Sequence, residues 1–295
     1  MVLYHCFDTR QFIFLFCKVC LDATIDNMNT GSRPARTLGH VFLFFFGCAV
    51  VLATVAPLAS GTSHPLQELY IGAAAGFGAF GLTLLFVRWD GLRLRDIGAS
   101  PDRRSPMRFF FGFAIGLLLI AAHSAVLWGA GHVRWVRAPD IGFCRAFLSL
   151  IAYFFLSIRE ELAFHGYPLR RFVSSYGLWP ATIIVALVFA VEHMLGGLTL
   201  RQALIGPGLG SVVFGLAAIA ARGLAFPIGL HAAWNFGDWM RGGKDAGGFW
   251  REAVQHGYED HAAFTGNAAY IVIMGIMTCI FWSWCRSNRK SDLIP

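Results

Sequence analysis

The sequence predicts an all-α fold, a polytopic transmembrane bundle of about eight spans. Three observations predict it. Of 295 residues, 56% are hydrophobic and only 14% are charged, against about 25% charged in a typical soluble domain. The mean hydropathy is +0.58. Apolar runs of bilayer-spanning length, roughly 17–25 residues, recur along the whole chain. A soluble globule of this composition would lack the polar residues to cover its surface. Disorder, collagen and coiled coil are excluded by the same numbers.

Residues 1–38 read as an N-terminal cytoplasmic segment. Within it, Gln11–Leu21 is apolar but too short to span, and no small-residue cleavage site follows. Met28-Asn29-Thr30-Gly31 stands just ahead of a basic stretch, so residues 1–27 are expected to be an over-extended gene start. Residues 39–285 form the membrane domain. Its expected spans are Gly39–Ala59, Leu69–Val87, Met107–Ala130, Ile141–Ile158, Leu178–Met194, Gln202–Ala221, Leu224–Met240 and Ala268–Cys285. Residues 286–295 are a basic cytoplasmic tail. There is no internal repeat and no low-complexity tract, which argues for one domain.

The connecting segments set the orientation. With the N-terminus inside and the spans alternating, 17 Lys and Arg residues, Arg159 among them, fall on the cytoplasmic side and 7 on the other. That is the positive-inside bias. It predicts an integral protein of a bacterial inner (plasma) membrane with both termini cytoplasmic. The net charge of +7 then reflects topology, and no nucleic-acid partner is expected.

Other features have plain structural readings. Gly72-x-x-x-Gly76, Gly112-x-x-x-Gly116 and Gly206-x-x-x-Gly210 are expected to allow close helix packing. Pro180 belongs in the first turn of its helix, where a missing N–H costs little, and Pro207 and Pro227 are candidate kinks. Seven scattered cysteines suggest no disulfide framework, and the lone Cys17-x-x-Cys20 lacks the second ligand pair of a zinc site. Residues 241–266 read as a solvated loop; a metal role for its His256 and His261 is not expected.

Charges at bilayer depth cost about 2.5–3.5 kcal/mol on insertion scales, so they mark functional candidates. Three clusters qualify. Glu160-Glu161 follows an apolar run, and His165 shares a helical face with Glu161 four residues away. Phe189-Ala-Val-Glu192-His193 ends another run; Glu192 either partners His193 or faces the outer interface. His231 and Asn235 lie one turn apart on one face. Each cluster alone also reads as a helix end or a polar packing contact. Together, two carboxylates, two histidines and an asparagine on three spans can deprotonate a water and stabilise an oxyanion. Peptide hydrolysis inside a membrane needs those two functions. Competing patterns are missing: no H-E-x-x-H, no rhomboid-type G-x-S-G, no G-x-G-D, no P-loop and no dinucleotide fingerprint.

The ordered motifs Glu160-Glu161-x-x-x-His165, Phe189-x-x-x-His193 and His231-x-x-x-Asn235 resemble those of the CPBP family, the CAAX-processing and bacteriocin-processing (Abi) membrane proteases. The match covers residues 143–240. The resemblance implies an intramembrane endopeptidase with its site in the cytoplasmic half of the membrane. It implies that Glu160 and His193 hold and activate the water and that His231 and Asn235 stabilise the oxyanion, with Glu161 and His165 in support. It leaves metal use open. A metal-free site with no cofactor is expected, because His231 with Asn235 suits donation; Glu160, His193 and His231 would be the ligands were zinc used. Substrates would be peptides or membrane proteins, prenylated or bacteriocin-like. One position departs from the family pattern: its usual Arg is His165 here. Histidine titrates near pH 6.5, so the Glu161–His165 pair is expected to make activity pH-sensitive. The alternatives are a non-catalytic membrane immunity or interaction protein on the same fold and an ion-coupled transporter.

Overall fold

The computed structural model describes residues 33–138, 141–244 and 248–291. The cysteines of the C-x-x-C motif and the proposed start at Met28 lie outside them. Eight long helical segments form the bundle, as expected. They are α1 (Arg33–Leu58), α2 (His64–Trp89), α3 (Ser105–Ala130), α4 (Phe143–Glu160) continuing into α5 (Tyr167–Tyr176), α6 (Leu178–Leu195), short α7 (Leu200–Ala203) continuing into α8 (Leu209–Ala220), α9 (Ala225–Met240) and α10 (Glu259–Ser291). Six of these segments are long and apolar enough to cross a membrane, by length and composition. The two that are not, α4 and α9, carry Glu160 and His231. α9 is too short, and α4 carries three charges, Arg145, Arg159 and Glu160.

Two departures matter. Residues 241–266 are not all loop: β2 (Trp250–Val254) pairs antiparallel with β1 (Val133–Arg137). The fourth span does not end at Ile158. It runs on through a π-helical turn, Glu161–Gly166, into α5. The sequence contains the reason. Pro168 has no N–H to offer the Phe164 carbonyl four residues back, and its ring would clash there. Widening the turn relieves the clash, and such π-bulges gather at functional sites. The Glu pair therefore sits in the middle of a continuous rod rather than at a helix end.

Gly177 then reverses the chain at φ +85, a left-handed conformation that favours glycine. Glu160 lies 17 residues before this turn and His193 lies 16 after it. At about 1.5 Å per residue, both stand about 25 Å from the turn, at one level of the bundle.

The packing of the other helices brings His231 to that level. α9 packs most extensively on α3, and α2 on α4. A Cβ on Gly112 would overlap the Phe226 carbonyl, and one on Gly116 would press on Leu230. A Cβ on Gly72 would meet the Leu156 backbone nitrogen at 2.8 Å. These two glycine motifs therefore work as expected. The third works in part: a Cβ on Gly210 would lie 3.1 Å from the Tyr270 hydroxyl, while nothing lies within 4 Å of one on Gly206. That residue belongs instead to a second π-helical segment, Leu204–Gly208, which contains Pro207. Its Gly206 carbonyl accepts a 2.8 Å bond from the Tyr270 hydroxyl of α10. Pro180 and Pro227 both occupy the first turn of their helices, α6 and α9, so Pro227 produces no kink. Aromatic side chains fill the core, with Phe44, Phe86, Tyr167, Phe172 and Phe189 in one cluster and Phe214, Phe226 and Phe281 in another.

Candidate active site

The π-turn buries Glu161 and His165 completely, and Glu160 is 8% exposed. Burying ionised groups is tolerated only when they are paired and hydrogen-bonded, and here each one is. The Nδ1–H of His165 donates to Glu161 Oε2 at 2.8 Å, the pairing expected from the i, i+4 spacing. From α9, the Nδ1–H of His231 donates to Glu161 Oε1 at 2.9 Å. Glu161 thus orients two imidazoles with its two oxygens. The other nitrogen of His231, Nε2, lies 3.3 Å from Glu160 Oε2. His231 sits between the two carboxylates, and its ring stacks on Phe214 at 4.2 Å with an interplanar angle of 17°.

Glu160 is held from its other oxygen. One guanidinium nitrogen of Arg159 donates to Glu160 Oε1 at 2.6 Å, and the other donates to Glu192 Oε1 at 2.7 Å. Glu192 therefore neither partners His193 nor faces away. Arg159 is buried at the site and drops out of the loop cations that support the orientation. The neighbour of a carboxylate in sequence is seldom its partner in a helix, which is why this role was missed.

His193 lies near the end of α6, half-buried, with its ring 4.5 Å from that of Phe189. Its Nδ1 bonds the Phe189 carbonyl at 2.9 Å. A carbonyl only accepts, so Nδ1 carries the proton and Nε2 is left with a lone pair. Phe189 is the hub of the cluster. Its ring also lies 6.3 Å from His165 and 6.4 Å from His231.

Asn235 stands one turn beyond His231 and stays outside this hydrogen-bonded set. Its Oδ1 accepts from Lys244 Nζ at 3.0 Å. Lys244 also lies over the Tyr153 ring at 5.1 Å. With Oδ1 turned to Lys244, the Nδ2 hydrogens point elsewhere. No pattern in the sequence pointed to Lys244.

Among the described residues, no three or more His, Cys, Asp and Glu side chains are arranged to hold an ion. At His231, Nδ1 is hydrogen-bonded to Glu161 and Nε2 faces Glu160. The loop histidines have other neighbours. His261 Nε2 bonds the Ala130 carbonyl at 2.7 Å, and His256 lies 3.6 Å from Glu259 in full solvent exposure.

A cavity of about 420 Å³ lies on the side of residues 95–108. Ile158 and Leu162, which flank the Glu pair, form part of its wall with Phe80 and Ile228, and Arg95, Arg108 and Arg222 line it too.

Residues 142–237 match the protein family described as Type II CAAX prenyl endopeptidase Rce1-like. The match spans the rod from the start of α4, through α6 and α8, to His231 and Asn235 on α9. No curated protein matches the chain.

Proposed function

We propose that the protein, whose residues 142–237 match the Type II CAAX prenyl endopeptidase Rce1-like family, is an intramembrane endopeptidase whose reaction is carried by Glu160, His193, His231 and Asn235. The observation that carries the proposal is the His231 ring held between Glu160 and Glu161. A carboxylate pair with an imidazole between them is a unit for moving one proton to and fro.

The chemistry follows from the donors and acceptors. Glu160 as carboxylate and His193 through its Nε2 lone pair hold a water and take its proton. The water oxygen attacks the peptide carbonyl carbon. The oxyanion that forms accepts from His231 Nε2–H and from the Asn235 amide. A preorganised donor of this kind is worth about 10²–10³ in rate. Glu160 then returns the proton to the leaving amine, and the C–N bond breaks. Glu161 holds His231 so that Nε2 faces the reacting atoms. No step runs through a metal.

The apolar and arginine-lined cavity supports a peptide substrate presented from the membrane, prenylated or bacteriocin-like. The basic segments beside it support a cytoplasmic location of this face in a bacterial inner membrane.

Peptidomics of membranes from a Glu160→Ala strain against wild type tests the reading. A membrane protein whose processing is lost in the variant is expected, together with the same loss in His193→Ala and His231→Ala. Unchanged processing, with all three variants folded, would favour a non-catalytic membrane protein on this fold.

A further inference from the structure

His165 stands where the resembling family has an arginine, and its surroundings are built for an imidazole. Its Nε2 lies 3.0 Å from the Ser211 Oγ of α8. One turn further along α8, Gly215 leaves room for the ring: a Cβ there would lie 3.3 Å from His165 Cδ2. The rings of Phe189 and Phe214 flank it. Ser211, like His165, is fully buried. A continuous chain of contacts runs Ser211–His165–Glu161–His231–Glu160, at 3.0, 2.8, 2.9 and 3.3 Å.

We propose that Ser211 is a positioning residue: its hydroxyl holds His165 in either charge state, so that the imidazolium can supply the positive charge that faces Glu161. A hydroxyl suits this because it both donates and accepts. To neutral His165, Ser211 donates its O–H to Nε2. From the imidazolium, it accepts the Nε2–H. Glu160, Glu161 and the partly exposed Glu192 bring three negative charges and Arg159 one positive, so a cation at His231 or His165 lowers the charge that the site must bury. The groups facing His165 are few. Glu161 is the one charged contact on the rod, with His231 and Glu160 beyond it. α8 offers the hydroxyl and has no ionisable side chain. α6 offers Phe189, with His193 and Glu192 at its end.

The arrangement Glu161–His165–Ser211 has the connectivity of a hydrolase triad, but a buried Oγ facing the ring cannot meet a substrate. Ser211 therefore acts through His165 and does not itself react.

The test uses the full chain in detergent micelles and reads thermal unfolding between pH 5 and pH 9. A charge-assisted bond is roughly twice as strong as a neutral one, so Ser211→Ala harms the imidazolium state more. The stability lost in Ser211→Ala is expected to be greater at pH 5 than at pH 9. Ser211→Thr, which keeps the hydroxyl, is expected to follow wild type. Where proteolysis is measured, the pH profile of kcat should change in Ser211→Ala and not in Ser211→Thr. The kinetic arm rests on the peptidase reading and the thermal arm does not, so failure of one is told from failure of the other. A stability loss independent of pH, or covalent labelling of Ser211 by a fluorophosphonate, would overturn the proposal.

Discussion

Arg159 gives the sharpest test of the electrostatics. It bridges Glu160 and Glu192 with two separate nitrogens, at 2.6 and 2.7 Å. Its side chain is 9% exposed, that of Glu160 11% and that of Glu192 26%. Arg159→Met keeps most of the apolar volume and removes the charge. Breaking a buried pair in this way costs about 3–5 kcal/mol, because it leaves an uncompensated charge behind. Glu192 can rehydrate, and Glu160 keeps His231 at 3.3 Å, so the lower end applies, about 3 kcal/mol. At roughly 2–4 °C per kcal/mol, purified protein in micelles should lose about 6–12 °C in thermal unfolding. Arg159→Lys keeps a charge but has no fork to reach both carboxylates and should lie between. Arg159→Met combined with Glu160→Gln should recover part of the loss, since no unpaired carboxylate then remains at that position. If Arg159→Met unfolds within about 2 °C of wild type, the guanidinium is not the counter-charge of the site, and the account of Glu160 given above is wrong.

Other variants probe other links. His165→Arg should not restore a family-like pair: the pocket holds an imidazole with no exposure, and overpacking a core costs about 1–3 kcal/mol; adding Ser211→Gly should recover part of the lost melting temperature. Gly229→Ala drives a Cβ into the Phe109 carbonyl and should lower the yield of folded protein, whereas Gly81→Ala, with nothing within 4 Å, should be neutral or raise stability by about 0.5–1 kcal/mol. Lys244→Met frees the Asn235 amide to turn; kcat should fall less than in Asn235→Ala, for which a loss of about 10²–10³ is expected of a missing oxyanion donor, and equal losses would tie the two residues into one unit. Added zinc or a chelator should leave cleavage by the purified protein unchanged, a check on the metal-free reading.

These predictions draw unequally on what the sequence reveals. The helices were legible because a bilayer demands long apolar runs, and six of the eight expected spans end within two residues of a helix end; the fourth runs on to Tyr176 and the eighth to Ser291. The Glu pair, His193, His231 and His165 stood out for the same reason, since polar residues are rare in such runs. What was not legible is pairing across helices. Residues 159–161 are all charged, and nothing in their order says that Arg159 turns to Glu192 of α6 while Glu161 turns to His231 of α9. The deciding feature is Pro168, which forces the π-turn and changes where the side chains after Glu160 point. Its effect is felt at Glu161, seven residues upstream.

The same π-turn sets the surroundings of His165, the position where the resembling family has arginine. The widened turn brings His165 against α8 at Ser211 and Gly215, where a ring fits and a guanidinium would need more room than Gly215 leaves. An arginine would carry its charge at every pH. The histidine carries it only when protonated, and then only if both nitrogens find partners. Glu161 supplies one and Ser211 the other. The replacement is therefore three residues deep, and a single change back to arginine should fail where changes at positions 165 and 211 together succeed. Measuring the thermal stability of His165→Arg, Ser211→Gly and the double variant at pH 8, where a histidine is neutral unless perturbed, decides it. A double variant more stable than His165→Arg alone supports the coupling, and strictly additive losses refute it.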